Sequence, residues 1–247
     1  MFPSEPETCD HLAGDWRIYQ LKYGHRFSAD DVLTAWTAAR ALPTARRLLD
    51  LGCGIGSVGF LTLWRLGSEA HLTAVEVQPV SLALAQRTAA LNGFAHRVDL
   101  HLGDLRELQL PGRFELITGS PPYFPVGKAL VSPHPQRAAA RMELHGDVRD
   151  YCRAAAGHLE PSGRFVFVHA AGDQRPEEAI TQAGMRLLAR QEVVVRPGRT
   201  PLIALFTCAF EGERVDPAPF VVRDASNRWT EQYLAMRREM GTVLEAR

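Results

Sequence analysis

A glycine-rich loop follows a short apolar segment and precedes an apolar helical pattern, in the sequence LLDLGCGIGSVGFLTLW (residues 48–64). Glycines at alternate positions let the backbone turn tightly and approach a ligand, with the N–H groups of the following helix directed at it. From residue 47 onward, segments with strand periodicity alternate with segments with helical periodicity. This alternation predicts a mostly parallel, doubly wound α/β sheet with helices on both faces. Two successive apolar segments, 187–197 and 201–210, predict an antiparallel hairpin at the C-terminal edge of the sheet.

The length and composition favour one domain, because 247 residues with 46% hydrophobic content are enough for a single core. We expect residues 1–12 to be a loose tail and residues 13–247 to form the domain. Within it, 13–46 would be a hairpin that turns at Gly24 followed by a helix, 47–210 the ligand-binding core, and 211–247 a C-terminal extension. Ser28 and Asp31 have the spacing of a helix capping box.

Composition also argues against several classes of protein. Lys+Arg and Asp+Glu both number 28, so the chain as a whole is not a strongly basic nucleic-acid binder. The four cysteines are far apart and form no C-x-x-C pair, which argues against a zinc or other metal site and against a disulfide framework. The N-terminus lacks signal-peptide character, and no apolar run reaches the ~20 residues of a membrane span. We therefore predict a cytoplasmic protein with no membrane partner.

The glycine loop fits two ligand classes. Gly54-x-Gly56-x-x-Gly59 matches the dinucleotide fingerprint, whereas Asp50-x-Gly52-x-Gly54-x-Gly56 matches the loop typical of S-adenosylmethionine (AdoMet) enzymes. An acid at the strand end would repel a pyrophosphate and attract the ammonium group of AdoMet. AdoMet is therefore favoured, and an NAD(P)-dependent oxidoreductase is the alternative from a different class.

Two further acids follow the next two predicted strands. Glu76 ends the second strand, about 20 residues beyond the loop, where an acid binds a ribose diol in such sheets. Asp104 ends the third strand, where its carboxylate could accept a hydrogen bond from an adenine amino group while Leu105 offers a backbone N–H. A turn-forming role for Asp104 is an equally good interpretation.

A proline corner follows the fourth predicted strand, in the sequence ITGSPPYFPVG. Pro121 and Pro122 each fix φ and lack an N–H, which leaves the carbonyls of Ser120 and Pro121 available as acceptors. Tyr123 and Phe124 offer flat faces, and stacking of a base on an aromatic ring contributes about 1–3 kcal/mol. Acceptors beside a stacking face predict a clamp for a planar amine.

Residues 50–56, Glu76, Asp104 and the SPPY sequence together resemble the class I AdoMet-dependent methyltransferases with an (Asn/Asp/Ser)-Pro-Pro-(Tyr/Phe) motif. Three further stretches, HRFSADDVLTAW, PQRAAARMEL and FVVRDASNRWTEQYLAM, resemble the bacterial tRNA adenine-N6-methyltransferases that modify a valine tRNA. The resemblance covers most of the chain from about residue 20.

The resemblance implies a Rossmann-like methyltransferase fold, AdoMet as cofactor, and methyl transfer to N6 of an adenine in tRNA or another nucleic acid. The residues that it implies for the cofactor are Asp50, Gly52, Cys53, Gly54, Gly56, Glu76, Val77, Asp104, Leu105 and Ser120. Those implied for catalysis are Ser120, Pro121, Pro122 and Tyr123, and those for the substrate are Tyr123, Phe124, Arg137 and Arg141.

Two points leave the substrate open. The family usually has Asn where this chain has Ser120, and a hydroxyl is shorter than an amide and both donates and accepts. Methylation of cytosine N4, a protein amide or a small-molecule amine therefore stays an alternative. Arg137 and Arg141 lie four residues apart, on one face of a helix, and with Lys128 could contact phosphates. A solvated charged surface explains these residues equally well.

Overall fold

The computed structural model describes residues 5–107, 109–127 and 131–243. The strands are β1 (Glu7–Ala13), β2 (Trp16–Leu21), β3 (Arg47–Leu51), β4 (His71–Glu76), β5 (Val98–Leu102), β6 (Phe114–Gly119), β7 (Leu159–Ala170), β8 (Arg186–Val194), β9 (Ile203–Ala209) and β10 (Phe220–Val221). The helices are α1 (Ala29–Ala41), α2 (Ser57–Leu66), α3 (Pro79–Leu91), α4 (Pro135–Arg141), α5 (Val148–His158), α6 (Arg175–Gln182) and α7 (Glu231–Glu239).

Eight strands form one twisted sheet in the order β10-β8-β9-β7-β6-β3-β4-β5. Neighbours from β5 to β7 pair in parallel, whereas β9 is antiparallel to both β7 and β8. The predicted α/β class and the antiparallel C-terminal hairpin are confirmed. The C-terminal extension adds β10, which pairs in parallel with β8 and forms the outer edge.

The N-terminal segment differs from the expected tail and hairpin. Residues 7–12 belong to β1, which pairs antiparallel with β2 around a two-residue turn at Gly14 and Asp15, not at Gly24. This hairpin packs against α2 and α3, and Leu12 and Ile18 are fully buried. Burial of these apolar side chains explains why the segment is ordered despite its acidic composition.

Alternate residues of the central strands supply two apolar layers. Leu48 and Leu72 face α1, α2 and α3, whereas Leu49, Ile117 and Phe167 face α5 and α6. Each face of the sheet is thus covered by one buried apolar layer, as is typical of parallel sheets. Among the described residues, no helix is both long and apolar enough to cross a membrane.

The order of the strands reverses at β3. The chain moves from β3 to β4 and β5 on one side, and from β6 to β7 on the other. Ligands of open α/β sheets bind at such a reversal, outside the carboxyl ends of the strands. The glycine loop after β3 and the proline corner after β6 both lie at this point.

Candidate active site

A cavity of about 480 Å³ opens at the carboxyl ends of β3, β4 and β6. Its volume lies within the range of small-molecule sites. Every residue that the sequence predicts for the cofactor or substrate lines it, except Gly56, which caps α2 directly below. The lining also includes residues for which the sequence predicted no role, among them His25, Asp30, His145 and Tyr151.

The glycine loop has a conformation that other residues rarely adopt. Gly52 and Gly54 have φ of 60° and 57°, in the left-handed region. A Cβ on Gly52 would stand 2.1 Å from the Tyr151 hydroxyl oxygen, so the loop can approach α5 only without a side chain. A Cβ on Gly54 would meet nothing within 4 Å, because this part of the loop faces open space. The loop thus exposes bare backbone at the cavity.

Glu76 is 4% exposed and fastens the loop to β4. Its Oε2 accepts a hydrogen bond from Gly54 N at 2.8 Å, and its Oε1 accepts one from Gln78 N at 2.7 Å. Burial raises the pKa of this carboxyl above its usual value. A carboxylate has about four lone-pair sites, so the backbone bonds leave capacity for a donor such as a ribose hydroxyl.

Asp50 lies deeper, at 1% exposure, and both its oxygens are engaged by the protein. Its Oδ2 accepts from Gly59 N at 2.9 Å, and its Oδ1 accepts from the Thr118 hydroxyl at 2.7 Å. Burial raises its pKa to about 7. Asp50 therefore joins β3 to β6 and to the first turns of α2, and much of its hydrogen-bonding capacity is used below the cavity.

The third acid is positioned by a neighbour. The Arg106 guanidinium donates to both oxygens of Asp104 and holds the pKa of that carboxyl below its usual value. Leu105 is buried beside it, and Val77 continues the same wall from β4. His145 also lines the cavity.

The proline corner packs against a buried histidine at the end of β7. Pro121 and Pro122 are buried, and the Tyr123 ring packs edge-on against His169 at a centroid distance of 5.2 Å. His169 is fully buried at the end of β7, and desolvation lowers its pKa to about 4, so its imidazole is neutral at pH 7. Ser120 is half-buried and faces the cavity.

The residue after the corner is fixed from the side by the end of α4. Phe124 N donates to Arg141 O at 3.2 Å, and Glu143 N donates to Phe124 O at 3.0 Å. The Arg141 guanidinium lies over the Phe124 ring at 5.4 Å, and Arg137 donates to Gly24 O at 3.1–3.2 Å. Both arginines thus line one wall, whereas Lys128 lies outside the described residues.

The start of α1 forms another wall of the cavity. Ser28 and Asp31 form the predicted capping box, which is confirmed, and Asp31 Oδ1 also accepts from the Ser57 hydroxyl at 2.9 Å. This bond holds the first turn of α1 against the first turn of α2. Asp30 precedes Asp31 and lines the cavity. In the sequence, this wall is marked by the HRFSADDVLTAW stretch, which includes the capping box.

The family model for the methyltransferase small domain matches residues 28–186. This range contains α1, the glycine loop and the proline corner. The chain belongs to the methyltransferase small domain family. The methyltransferase is 27% identical over 212 residues to a Pasteurella multocida protein named tRNA1(Val) (adenine(37)-N6)-methyltransferase, covering 84% of this chain and 86% of that protein. It is 26% identical to a Bacteroides thetaiotaomicron protein of the same name, covering 90% and 92%.

Solved methyltransferases share the fold. A predicted O-methyltransferase from Agrobacterium tumefaciens superposes with a TM-score of 0.61 at 19% identity, covering 86% of this chain and 97% of that chain. A glycopeptide N-methyltransferase complexed with AdoMet superposes with a TM-score of 0.53 at 15% identity, covering 85% and 99%. At these identities the likeness concerns the fold alone.

The cavity fits AdoMet, the cofactor of this methyltransferase. A nucleoside would find suitable partners here, namely the exposed backbone at Gly54, the remaining lone pairs of Glu76 and the apolar wall at Leu105. The carboxylates of Asp30, Asp50 and Glu76 in one lining suit a cation and disfavour the pyrophosphate of NAD(P). In the described part of the chain, no group of three His, Cys, Asp or Glu side chains could hold a metal ion.

Proposed function

We propose that this methyltransferase transfers a methyl group from AdoMet to the exocyclic N6 of an adenine in tRNA. The observation that carries the proposal is the proline corner, which lies at the cavity edge with acceptors at Ser120 and Pro121 and an aromatic ring at Tyr123. The names of the Pasteurella and Bacteroides relatives support adenine N6 and tRNA. A tRNA substrate would place the protein in the cytoplasm.

The corner would act by positioning the amine. When bound, AdoMet supplies a methyl group on a good leaving group, so the residues mainly have to orient the acceptor nitrogen. The hydroxyl of Ser120 and the carbonyl of Pro121 would accept hydrogen bonds from the amino group and favour a pyramidal nitrogen. The Tyr123 ring would stack on the base. No strong base is needed, because the methylated nitrogen is cationic and loses its proton easily.

The packing below the corner supports this role. A stacking platform must hold its ring in place before the base arrives, since ordering a free side chain costs entropy. Contact with the buried His169 and the strand-like pairing of Phe124 with the end of α4 restrain both sides of Tyr123. A base inside a structured loop would flip out to reach this platform.

Arg137 and Arg141 would contact the RNA backbone beside the flipped base. Arg141 is exposed, and its contact with Phe124 places a cation at the mouth of the cavity. Arg137 is half-buried and partly used by Gly24 O. We therefore assign the stronger phosphate contact to Arg141, because its guanidinium is exposed over the Phe124 ring, whereas that of Arg137 donates to Gly24 O.

Labelling of separate substrate pools tests the proposal. The purified protein is incubated with methyl-labelled AdoMet and with unmodified transcript tRNA, rRNA, DNA or protein, and the labelled product is analysed by nucleoside mass spectrometry. We expect label in tRNA, as N6-methyladenosine. Label that appears in another pool and is absent from tRNA would overturn the tRNA assignment.

Two variants make the test specific to this site. Ser120→Ala should lower turnover, whereas Ser120→Asn, which introduces the residue usual in the family, should retain N6 methylation. Both should still bind S-adenosylhomocysteine, which shows that the cavity is folded. Methyl transfer to cytosine N4 by the wild-type protein, with adenine methylation only in Ser120→Asn, would assign the serine to a different base.

A further inference from the structure

The cofactor of this methyltransferase carries an ammonium group, and the cavity must provide an anion for it. Asp50 was the sequence-based choice. Its two oxygens, however, accept from Gly59 N and the Thr118 hydroxyl, and it is 1% exposed. Glu76 is likewise engaged by Gly54 N and Gln78 N, and its place at the end of β4 suits the ribose. Neither acid offers a free, cavity-facing carboxylate oxygen pair.

Asp30 offers such a carboxylate. It lines the cavity at the first residues of α1, and among the described residues no side chain donates to it and no cation pairs with it. Its own backbone N–H is the single donor that acts on it. This contrasts with Asp104, whose carboxylate is held by the Arg106 guanidinium.

The position of Asp30 is fixed by contacts of its neighbour Asp31. Asp31 accepts from both Ser28 N and the Ser57 hydroxyl, so the first turn of α1 is tied to the helix that follows the glycine loop. Tyr123 of the proline corner lines the same cavity, and burial together with the charges of Asp30 and Asp31 raises its pKa. Asp30 therefore lines the cavity that the glycine loop and the proline corner share.

We propose that the Asp30 carboxylate binds the ammonium group of the methionine part of AdoMet. Glu76 and the Asp104–Leu105 wall account for the nucleoside, and Ser120 for the transferring end. The start of α1 is a further wall of the cavity, and Asp31 ties it through Ser57 to the helix that follows the glycine loop. The inference concerns the cofactor and is independent of whether the acceptor is tRNA.

The electrostatics of the free protein agree with this assignment. Burial and the neighbouring Asp31 raise the pKa of Asp30 to about 6. The negative charge of its ionised form is therefore not balanced by a positive charge in the described part of the cavity. A bound ammonium group would supply that compensation, and hydrogen bonds to charged groups contribute about 1.5–3 kcal/mol.

Binding calorimetry with two ligands tests the role of Asp30 without turnover. S-adenosylhomocysteine carries the amino-acid part, whereas 5′-methylthioadenosine has the same nucleoside and thioether and lacks it. We expect Asp30→Asn to weaken S-adenosylhomocysteine binding about tenfold to a hundredfold and to leave 5′-methylthioadenosine binding unchanged. Asp99→Asn, which changes an exposed acid on β5, serves as the matched control and should alter neither affinity.

Each other outcome overturns the proposal. Equal weakening of both ligands would mean that Asp30 only shapes the cavity. Unchanged affinity for both, with slower methyl transfer, would place Asp30 beside the acceptor amine. Asp30→Ser provides a second variant with a residue suited to a helix start. Independently of any variant, the wild-type protein should bind an S-adenosylhomocysteine analogue that lacks the amino group at least tenfold more weakly, and equal affinity would refute the ammonium contact.

Discussion

Replacement of Asp50 by asparagine should stabilise the cofactor-free methyltransferase at neutral and alkaline pH. The side chain is 1% exposed and accepts hydrogen bonds from Gly59 N and the Thr118 hydroxyl. An asparagine oxygen can accept from Gly59 N, while its amide group donates to the Thr118 oxygen, since a hydroxyl both donates and accepts. The substitution thus retains both contacts and removes a buried charge.

The magnitude follows from the pKa of Asp50, which burial raises from 3.8 to about 7. A difference of one pKa unit corresponds to 1.36 kcal/mol, so ionisation in the folded state costs up to about 4 kcal/mol. Because the pKa is raised in the folded state, the stabilisation by protonated Asp50 is complete below pH 3.8 and is lost as the pH rises through about 7. The advantage of Asp50→Asn over the wild type should therefore grow by roughly 1.4 kcal/mol per pH unit between pH 5 and 7, and then level off.

Urea unfolding of the cofactor-free proteins at pH 5, 6, 7 and 8 measures this advantage. Asp50→Ala is the informative comparison, because it leaves Gly59 N and the Thr118 hydroxyl without a partner at an estimated cost of about 1–3 kcal/mol each. An Asp50→Asn protein less stable than the wild type at pH 8 would refute the reasoning.

The same pair of variants separates two roles of Asp50 in cofactor binding. We expect Asp50→Ala to abolish AdoMet binding, because the first turn of α2 and the strand β6 lose their common acceptor. Asp50→Asn keeps that acceptor and should retain binding if Asp30 holds the ammonium group. Equal loss of AdoMet affinity in both variants would show that the charge of Asp50 itself contacts the cofactor.

The remaining predictions concern the loop, the platform and the mouth of the cavity. Tyr123→Ala should lose turnover and keep AdoMet affinity, as calorimetry and methyl-transfer rates will show, and unchanged turnover would exclude a stacking role. Gly52→Ala should lower both AdoMet affinity and the urea midpoint of unfolding, because its Cβ would stand 2.1 Å from the Tyr151 hydroxyl oxygen at a φ of 60°. Adding Tyr151→Phe removes that oxygen and should restore part of both losses. No restoration would contradict the steric cause. Arg141→Gln should raise KM for tRNA severalfold and reduce its salt dependence, with AdoMet affinity unchanged; an unaltered KM would remove Arg141 from the RNA contact.

The sequence predicted the parts of the site that depend on local pattern. The glycine loop, Glu76 and the proline corner each follow directly after a strand, and parallel strands bring such ends to one edge of the sheet. The hydrogen-bond partners of Asp50 could not be predicted from such local patterns. Its partner Thr118 lies opposite it in the parallel pairing of β3 with β6, a register that no local pattern specifies.

The wall formed by α1 escaped prediction for a related reason. Asp30 reaches the cavity because Asp31 ties α1 to α2 through Ser57, a contact across 26 residues. Tyr151 approaches Gly52 from α5 without any spacing that would reveal it. The N-terminal hairpin, in contrast, had a local signal, since Gly14-Asp15 between alternating segments is typical of a two-residue turn.

The cavity carries charges of both signs on different elements, which suits cationic AdoMet and the proposed RNA substrate. Asp30, Asp50 and Glu76 belong to the wall of α1, β3 and β4, where burial raises the pKa of each carboxyl. Arg137 and Arg141 lie on α4 and line the same cavity. The acids favour cationic AdoMet over its product, which lacks the sulfonium charge, so transfer of the methyl group weakens the attraction that held the cofactor. The arginines suit a polyanion, so under the proposed function a chain with no net charge would bind RNA beside a cationic cofactor.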